Sequence, residues 1–213
     1  CFRTNNIPKL WNRMGKNVID MKWKIAILGS AVDELVETRI QTKKLGEVLS
    51  QYRDRVILLN GACPGVPNQV ISAAQMKNHI DVWGFCSYVN RNAQLVGHPS
   101  VDISLFDRLF FIPKDFPFAG DVNVCRKYRN VILTASCDAG IIVSGRWGTM
   151  NEFTNLYDMG KVIGVLLKTG GVADVLQDLV KRISKETKAV LFFEKDQQKL
   201  VEIVLAEMEK RKL

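Results

Sequence analysis

The run Ala139-Gly140-Ile141-Ile142-Val143 restricts the fold of this chain more than any other stretch. It is short, apolar and without alternation, the pattern of a parallel strand covered on both faces. Ser144, Gly145 and Gly148 follow at once, small residues that let the chain turn sharply and bring its backbone close to a ligand. A helix is predicted to open near Gly148-Thr149, with Thr149 as its cap; the free N–H groups and positive dipole end of such a helix suit an anion such as phosphate. Glu152 lies one helical turn further on, and the helix expected before the strand carries Arg129.

The same strand, turn and helix unit recurs along the chain. Lys24 to Leu28 reads as a strand ending at Gly29-Ser30, followed by a helix from about Asp33 to Tyr52. Arg55 to Asn60 is a second strand, which ends in Gly61-Ala62-Cys63-Pro64-Gly65 and leads to a helix reaching about His79. Trp83, Phe85 and Tyr88 give strong β propensity to a third strand, expected over Asp81 to Val89. From Asn90 to Gly120 the pattern breaks: only Leu109 to Ile112 looks like a strand, and such an irregular insertion is a candidate for substrate selection. Beyond it the spacing predicts a helix over Val124–Ser136, the central strand, and a helix over Thr149–Met159. Strands over Lys161–Leu167 and Ala189–Phe193 then alternate with helices over Val172–Glu186 and Gln197–Lys212. Gly160, Gly170 and Gly171 fall where elements should end.

Repetition of this unit predicts an α/β protein with a doubly wound, mostly parallel sheet and helices on both faces, Rossmann-like in architecture. Ligands in such a sheet bind beyond the carboxyl ends of the strands, where the strand order reverses. Gly29-Ser30, Gly61 to Gly65 and Ser144 to Thr149 would gather on that rim, which makes a phosphate or nucleotide crevice the leading expectation.

At 213 residues and 47% hydrophobic content the chain can bury a full core, expected as a single domain over 23–213 preceded by a basic arm over 1–22. No run of about eighteen apolar residues occurs, so no membrane partner is expected. The opening segment is basic, broken by Pro8 and without an apolar core, unlike a secretory signal. The five cysteines are scattered and read as reduced thiols, which points to a cytoplasmic location. The net charge of +8 sits largely at the two ends, and neither end interleaves basic residues densely with aromatics. With no helix-turn-helix, zinc-finger or RNP pattern, small anionic ligands and solubility explain the charge better than nucleic acid does.

The turns contain no G-x-G-x-x-G after the first strand and no G-x-x-x-x-G-K-[ST], which argues against ordinary dinucleotide oxidoreductases and P-loop ATPases. A G-x-S-x-G elbow and an H-E-x-x-H helix are also absent. What the chain does contain is Arg129-Asn130, then Asp138, an apolar strand, and Gly145-Arg146-Trp147-Gly148-Thr149-Met150-Asn151-Glu152. This arrangement resembles the signature of the Lonely Guy family, often mislabelled "lysine decarboxylase": an Arg-Lys pair on a helix followed by Pro-Gly-Gly-x-Gly-Thr-x-x-Glu. The Gly61 to Gly65 turn is similar to the family's glycine-rich turn after its second strand, and Gly29-Ser30 to its first. The resemblance spans roughly Lys24 to Leu205, with Ser144 in place of the proline, Arg146 in place of the second glycine and Asn130 in place of the lysine.

The resemblance implies a Rossmann-like fold, an oligomer of at least two subunits, and a nucleoside 5′-monophosphate as ligand. It also implies a phosphoribohydrolase that cuts the N-glycosidic bond to release free base and ribose 5-phosphate, rather than a decarboxylase. Glu152 and Arg129 would then be the catalytic pair, and Gly145, Gly148 and Thr149 would cradle phosphate. Gly29, Ser30, Gly61, Gly65, Ser144 and Arg146 complete the expected binding set. The same superfamily includes molybdenum cofactor carrier proteins, so a non-catalytic carrier or sensor of a phosphorylated ligand is the alternative.

The chemistry fits the pairing and needs neither metal nor cofactor. Cleavage of a ribosyl bond passes through an oxocarbenium-like state, which a carboxylate stabilises while it orients ribose hydroxyls or water. An arginine can grip phosphate or carboxylate and is expected to hold Glu152 ionised. Taken singly, Glu152 could complete a capping interaction with Thr149, and Arg129 could be a surface ion pair. Trp147 could stack on a base or pack, and Arg126 and Lys127 could attract phosphate or form a solvated face. Asp138 reads as a residue that starts its strand, His79 and His98 as ordinary histidines, and Cys63 as a small buried thiol.

Overall fold

The computed structural model describes residues 22–32, 34–183 and 185–212. The expected basic arm lies, but for Lys22, outside the described residues. Among these residues the strands are β1 (Trp23–Gly29), β2 (Val56–Asn60), β3 (Val82–Phe85), β4 (Arg108–Phe110), β5 (Ala139–Val143), β6 (Val162–Leu166) and β7 (Val190–Glu194). The helices are α1 (Val36–Ser50), α2 (Val66–Lys77), α3 (Arg91–Gly97), α4 (Val122–Ser136), α5 (Trp147–Asp158), α6 (Gly171–Arg182) and α7 (Gln197–Lys212). The strands pair in the order β4-β3-β2-β1-β5-β6-β7, parallel throughout. The protein is a Rossmann-like α/β fold, as the alternating pattern predicts.

Because side chains alternate along a strand, β1 feeds two cores. Ile25 and Ile27 pack with Leu45 and Leu49 of α1, Val70 and Ile71 of α2, and Val201 and Val204 of α7. Ala26 and Leu28 pack on the opposite face with Leu133 of α4, Phe153 and Leu156 of α5, and Leu176 of α6. Burying each such leucine, isoleucine, valine or phenylalanine contributes about 1.5–3 kcal/mol, which explains why β5, covered from both sides, shows no polar alternation.

Three local expectations need correction. The third strand ends at Phe85 instead of Val89, because Cys86 and Ser87 turn back into the interior and the chain leaves the sheet there. The segment after it is more regular than expected. Asn90 caps α3 by accepting the Ala93 N–H at 2.9 Å, and Gln94 anchors that helix by donating to the Ala62 carbonyl at 2.6 Å. On α4, Asp121 accepts the N–H groups of Asn123 and Val124, so the helix begins two residues ahead of Val124. Asp138 does mark the start of its strand, accepting the Lys24 N–H at 2.8 Å and so tying β5 to β1.

Candidate functional site

The strand order reverses between β1 and β5, and the loops after β1, β2 and β5 meet at that point. Between them lies a cavity of about 600 Å³ lined by Gly29, Ser30, Gly61, Arg129, Thr149 and Glu152, together with residues of α4 and the turn after α3. Its volume is within the range of pockets that hold small ligands. Arg146 and Gly148 also line it. Gly65, Ser144 and Gly145 do not, and their contacts explain where they stand instead.

The turn out of β5 is built on two residues with left-handed backbone, Ser144 at φ 54° and Gly145 at φ 108°. Their carbonyls accept the N–H groups of Ala173 and Val172, so the turn braces the first turn of α6. The Ser144 N–H donates to Thr169 Oγ1 at 2.8 Å, and its hydroxyl donates to Glu34 at 3.0 Å. Gly65, at φ 92°, sits against the Ser30 carbonyl, where any Cβ would collide. Val66 N donates to that same carbonyl at 2.8 Å, so Gly65 joins the loop after β1 to α2.

Because Ser144 and Gly145 reverse the chain so tightly, α5 begins at Trp147, with Arg146 in extended conformation as its cap residue. Thr149 therefore lies inside the first turn and does not cap the helix; no side chain does. The reading of Glu152 as the partner of a Thr149 cap fails for the same reason. The first N–H groups of α5 have no intrahelical acceptor, and the first intrahelical bond is Met150 N to Arg146 O. With Gly148 and Thr149 on the cavity wall, this end of α5 presents donors and a positive dipole to an anion.

Arg129 projects from the third turn of α4, where it is buried. One guanidinium nitrogen, Nη1, donates to the Gly61 carbonyl and, at 3.4 Å, to the Phe85 carbonyl; Nε donates to Asn130 Oδ1 at 3.1 Å. Gly61 is required by this contact, since a Cβ there would overlap the guanidinium. No hydrogen bond to a described residue uses Nη2, so the cation is fixed by β2 and β3 and keeps donors for a ligand. Asn130 is held in turn by donating to Asn151 Oδ1 at 3.2 Å.

Glu152, on the second turn of α5, is 8% exposed, and its carboxyl makes no hydrogen bond or ion pair with any described residue. Burial raises its pKa from 4.5 to about 7, against the opposing fields of Arg129 and Lys127. Arg129 thus does not keep Glu152 firmly ionised as expected, because its guanidinium is engaged with carbonyls and desolvation outweighs its charge. The result is a carboxyl that changes protonation near neutrality beside a fixed cation.

Several lining residues carry little or no signal in the sequence. Asn123 carries no motif signal. Arg126 and Lys127 share its face of α4, and only the helical spacing of 123, 126, 127 and 130 could have found them together. His98 and Cys63 also line the cavity. Cys63 is half-buried and free, whereas burial pushes the thiols of Cys86 and Cys137 up to about 12. Trp147 is 84% exposed, so it is not packed into the core. Away from the cavity His79 comes together with Asp81 and Asp107, but Asp81 pairs with Lys22 at 2.8 Å and Asp107 accepts the Val82 N–H.

Among the described residues no helix is long and apolar enough to cross a membrane. Solved structures share the fold at low identity. The X-ray structure of the structural-genomics target TM1055 aligns over 86% of this chain and 99% of its own, with 17% identity and a TM-score of 0.67. The molybdenum cofactor carrier protein of Chlamydomonas reinhardtii aligns over 89% and 99%, with 13% identity and a TM-score of 0.60. DNA processing protein A of Helicobacter pylori, described for its single-stranded DNA binding mode, aligns over 96% and 95%, with 16% identity and a TM-score of 0.56. At these identities the likeness concerns the fold alone. A search of curated proteins gave no match. The model of the SLOG cluster4 family, where SLOG stands for SMF/DprA/LOG, matches residues 22–201, and the chain belongs to that family.

Proposed function

We propose that the protein is a Lonely Guy-type nucleotide phosphoribohydrolase, which binds a nucleoside 5′-monophosphate and hydrolyses its N-glycosidic bond. The observation that carries this reading is the pairing in one cavity of a fixed guanidinium, Arg129, with a buried carboxyl, Glu152, that has no partner among the described residues. The open N-terminus of α5 beside Gly148 and Thr149 suits the 5′-phosphate, with Arg146 as an added cation. The ribose would then lie against Glu152. In its ionised form this carboxylate stabilises positive charge on the anomeric carbon as the bond to the base breaks, and it orients the ribose hydroxyls or the attacking water. Arg129 neutralises the anionic charge gathered there. Water adds to the anomeric carbon, its proton leaves with the base, and ribose 5-phosphate remains. In this reading the functional protein is a cytoplasmic homo-oligomer of at least two subunits.

Incubation with a panel of nucleoside monophosphates, followed by separation of products, tests the reading. Free base should appear, and Glu152→Gln should abolish its release while leaving nucleotide binding. If every monophosphate is recovered intact, hydrolysis is excluded. Tight binding with intact recovery would instead support a carrier or sensor of a phosphorylated ligand, a reading favoured by Arg146, whose exposed side chain stands beside the anion corner.

A further inference from the structure

The cavity holds more positive charge than one phosphate needs. Arg126, Lys127, Arg129 and Arg146 line it, against a single acid, Glu152, among the described residues. No described acid forms an ion pair with any of the four, and the side chain of Arg126 bonds only to Asn123 Oδ1, at 3.3 Å. Arg146 belongs to the phosphate corner at α5, and Arg129 is engaged with the carbonyls of Gly61 and Phe85. Arg126 and Lys127 remain, on a different wall formed by the first half of α4. His98 lines the same cavity, and its burial, together with the charges of Arg126 and Arg129, lowers its pKa. Lys127 lies near enough to Glu152 for its charge to act on that carboxyl. The α4 residues and the α5 corner therefore both border the part of the cavity that holds Glu152, against which the proposed ribose would lie.

We propose that Asn123, Arg126, Lys127 and His98 form a second anion subsite, so that the natural ligand carries another anionic group beyond the ribose in addition to its 5′-phosphate. The inference rests on the nucleotide reading above and narrows its substrate class. Asn123 and neutral His98 supply hydrogen bonds, and Arg126 and Lys127 supply charge. The extra group belongs either to the sugar, as a second phosphate, or to the base, as a carboxylate.

Calorimetric titration at one fixed low ionic strength separates these possibilities, because such contacts weaken as salt screens them. AMP and adenosine 3′,5′-bisphosphate probe the sugar, and UMP and orotidine 5′-monophosphate probe the base. One of the two doubly anionic ligands should bind about tenfold or more tighter than its partner, equivalent to about 1.4 kcal/mol. The Arg126→Gln/Lys127→Gln double variant should erase that advantage. ADP, which extends the charge at the 5′ end, should gain less and lose little in the double variant. The chain has two histidines, so NMR resolves them readily, with His79 as internal control. The preferred ligand should raise the pKa of His98. Equal affinities within both pairs, an advantage that survives the double variant, or an unmoved His98 each overturns the second subsite. If base release from AMP persists alongside such a result, the phosphoribohydrolase reading stands alone. If a doubly anionic ligand binds through Arg126 and Lys127 while no monophosphate is cleaved, the subsite stands and hydrolysis falls. No binding by any probe removes both.

Discussion

Replacing Glu152 with glutamine should make the protein more stable, and increasingly so as the pH rises. The carboxyl is 8% exposed and has no hydrogen-bond partner among the described residues, and burial lifts its pKa from 4.5 to about 7. Below pH 4.5 the carboxyl is protonated in the folded and unfolded chains alike, and folding carries no ionic penalty from it. Between 4.5 and 7 the unfolded chain has released the proton while the folded chain retains it, so stability falls as the pH rises. Above 7 both forms are ionised and the whole cost of a desolvated carboxylate is present. That cost is about 3 kcal/mol, from about 1.4 kcal/mol per pKa unit. Glutamine is nearly the same size and uncharged at every pH, so the stability difference between variant and parent isolates the carboxyl from every other titrating group. Urea unfolding at pH 5, 6, 7 and 8 should give a difference that grows along the series towards about 3 kcal/mol, on the order of 10 °C in Tm for a chain of this length. The same variant should release no base, a gain in stability at the expense of function. A difference that stays flat from pH 5 to 8 would refute the argument that Glu152 is held in a desolvated, unpaired setting.

Other outcomes follow from the same geometry. If ionised Glu152 is needed for cleavage, kcat/KM should rise with pH around a midpoint near 7 and level off above it; a profile flat across that range excludes the role. Gly61→Ala should displace the Arg129 guanidinium and lower kcat/KM by about a hundredfold, the scale of a misplaced catalytic group, while circular dichroism shows the fold intact; unaltered kinetics would show that Arg129 need not sit there. Leu133→Ala opens a hole between α4 and the sheet and should cost about 2–5 kcal/mol in urea unfolding. In a Cys1→Ser background, a thiol reagent at pH 8 should label Cys63 ahead of Cys86 and Cys137, and bound nucleotide should protect it; faster labelling of either buried thiol contradicts the packing.

Much of this architecture is local and therefore legible in one dimension. β5 announces itself because a strand covered on both faces must be apolar at every position, and α7 because its limits coincide with the end of its periodic pattern. The glycine-bearing turns after β1, β2 and β5, once assigned to parallel strands, had to reach one edge, since parallel strands present their carboxyl ends together. The true length of β3 and the helix α3 were not legible. The first is set by where the chain turns inward at Cys86, and the second is secured by a long-range bond from Gln94 to Ala62. The limits of α5 depended on two left-handed residues, one of them a serine, whose conformation no propensity scale anticipates.

From the sequence alone came the parallel layered fold and the rim on which the turns converge, because both follow from repeating units along the chain; the expectation that Arg129 and Glu152 act together came from the family resemblance. Only the tertiary structure decided which of those residues face the cavity and in what charge state. Gly65, Ser144 and Gly145 turned out to hold neighbouring segments together, while Arg126, Lys127 and His98, distant or unremarkable in sequence, came to line one cavity. Desolvation is the physical reason that the outcome at Glu152 could not be read in advance. It depends on how completely α4, α5 and the sheet exclude water from one carboxyl, a property of the packed molecule that no single stretch of chain contains.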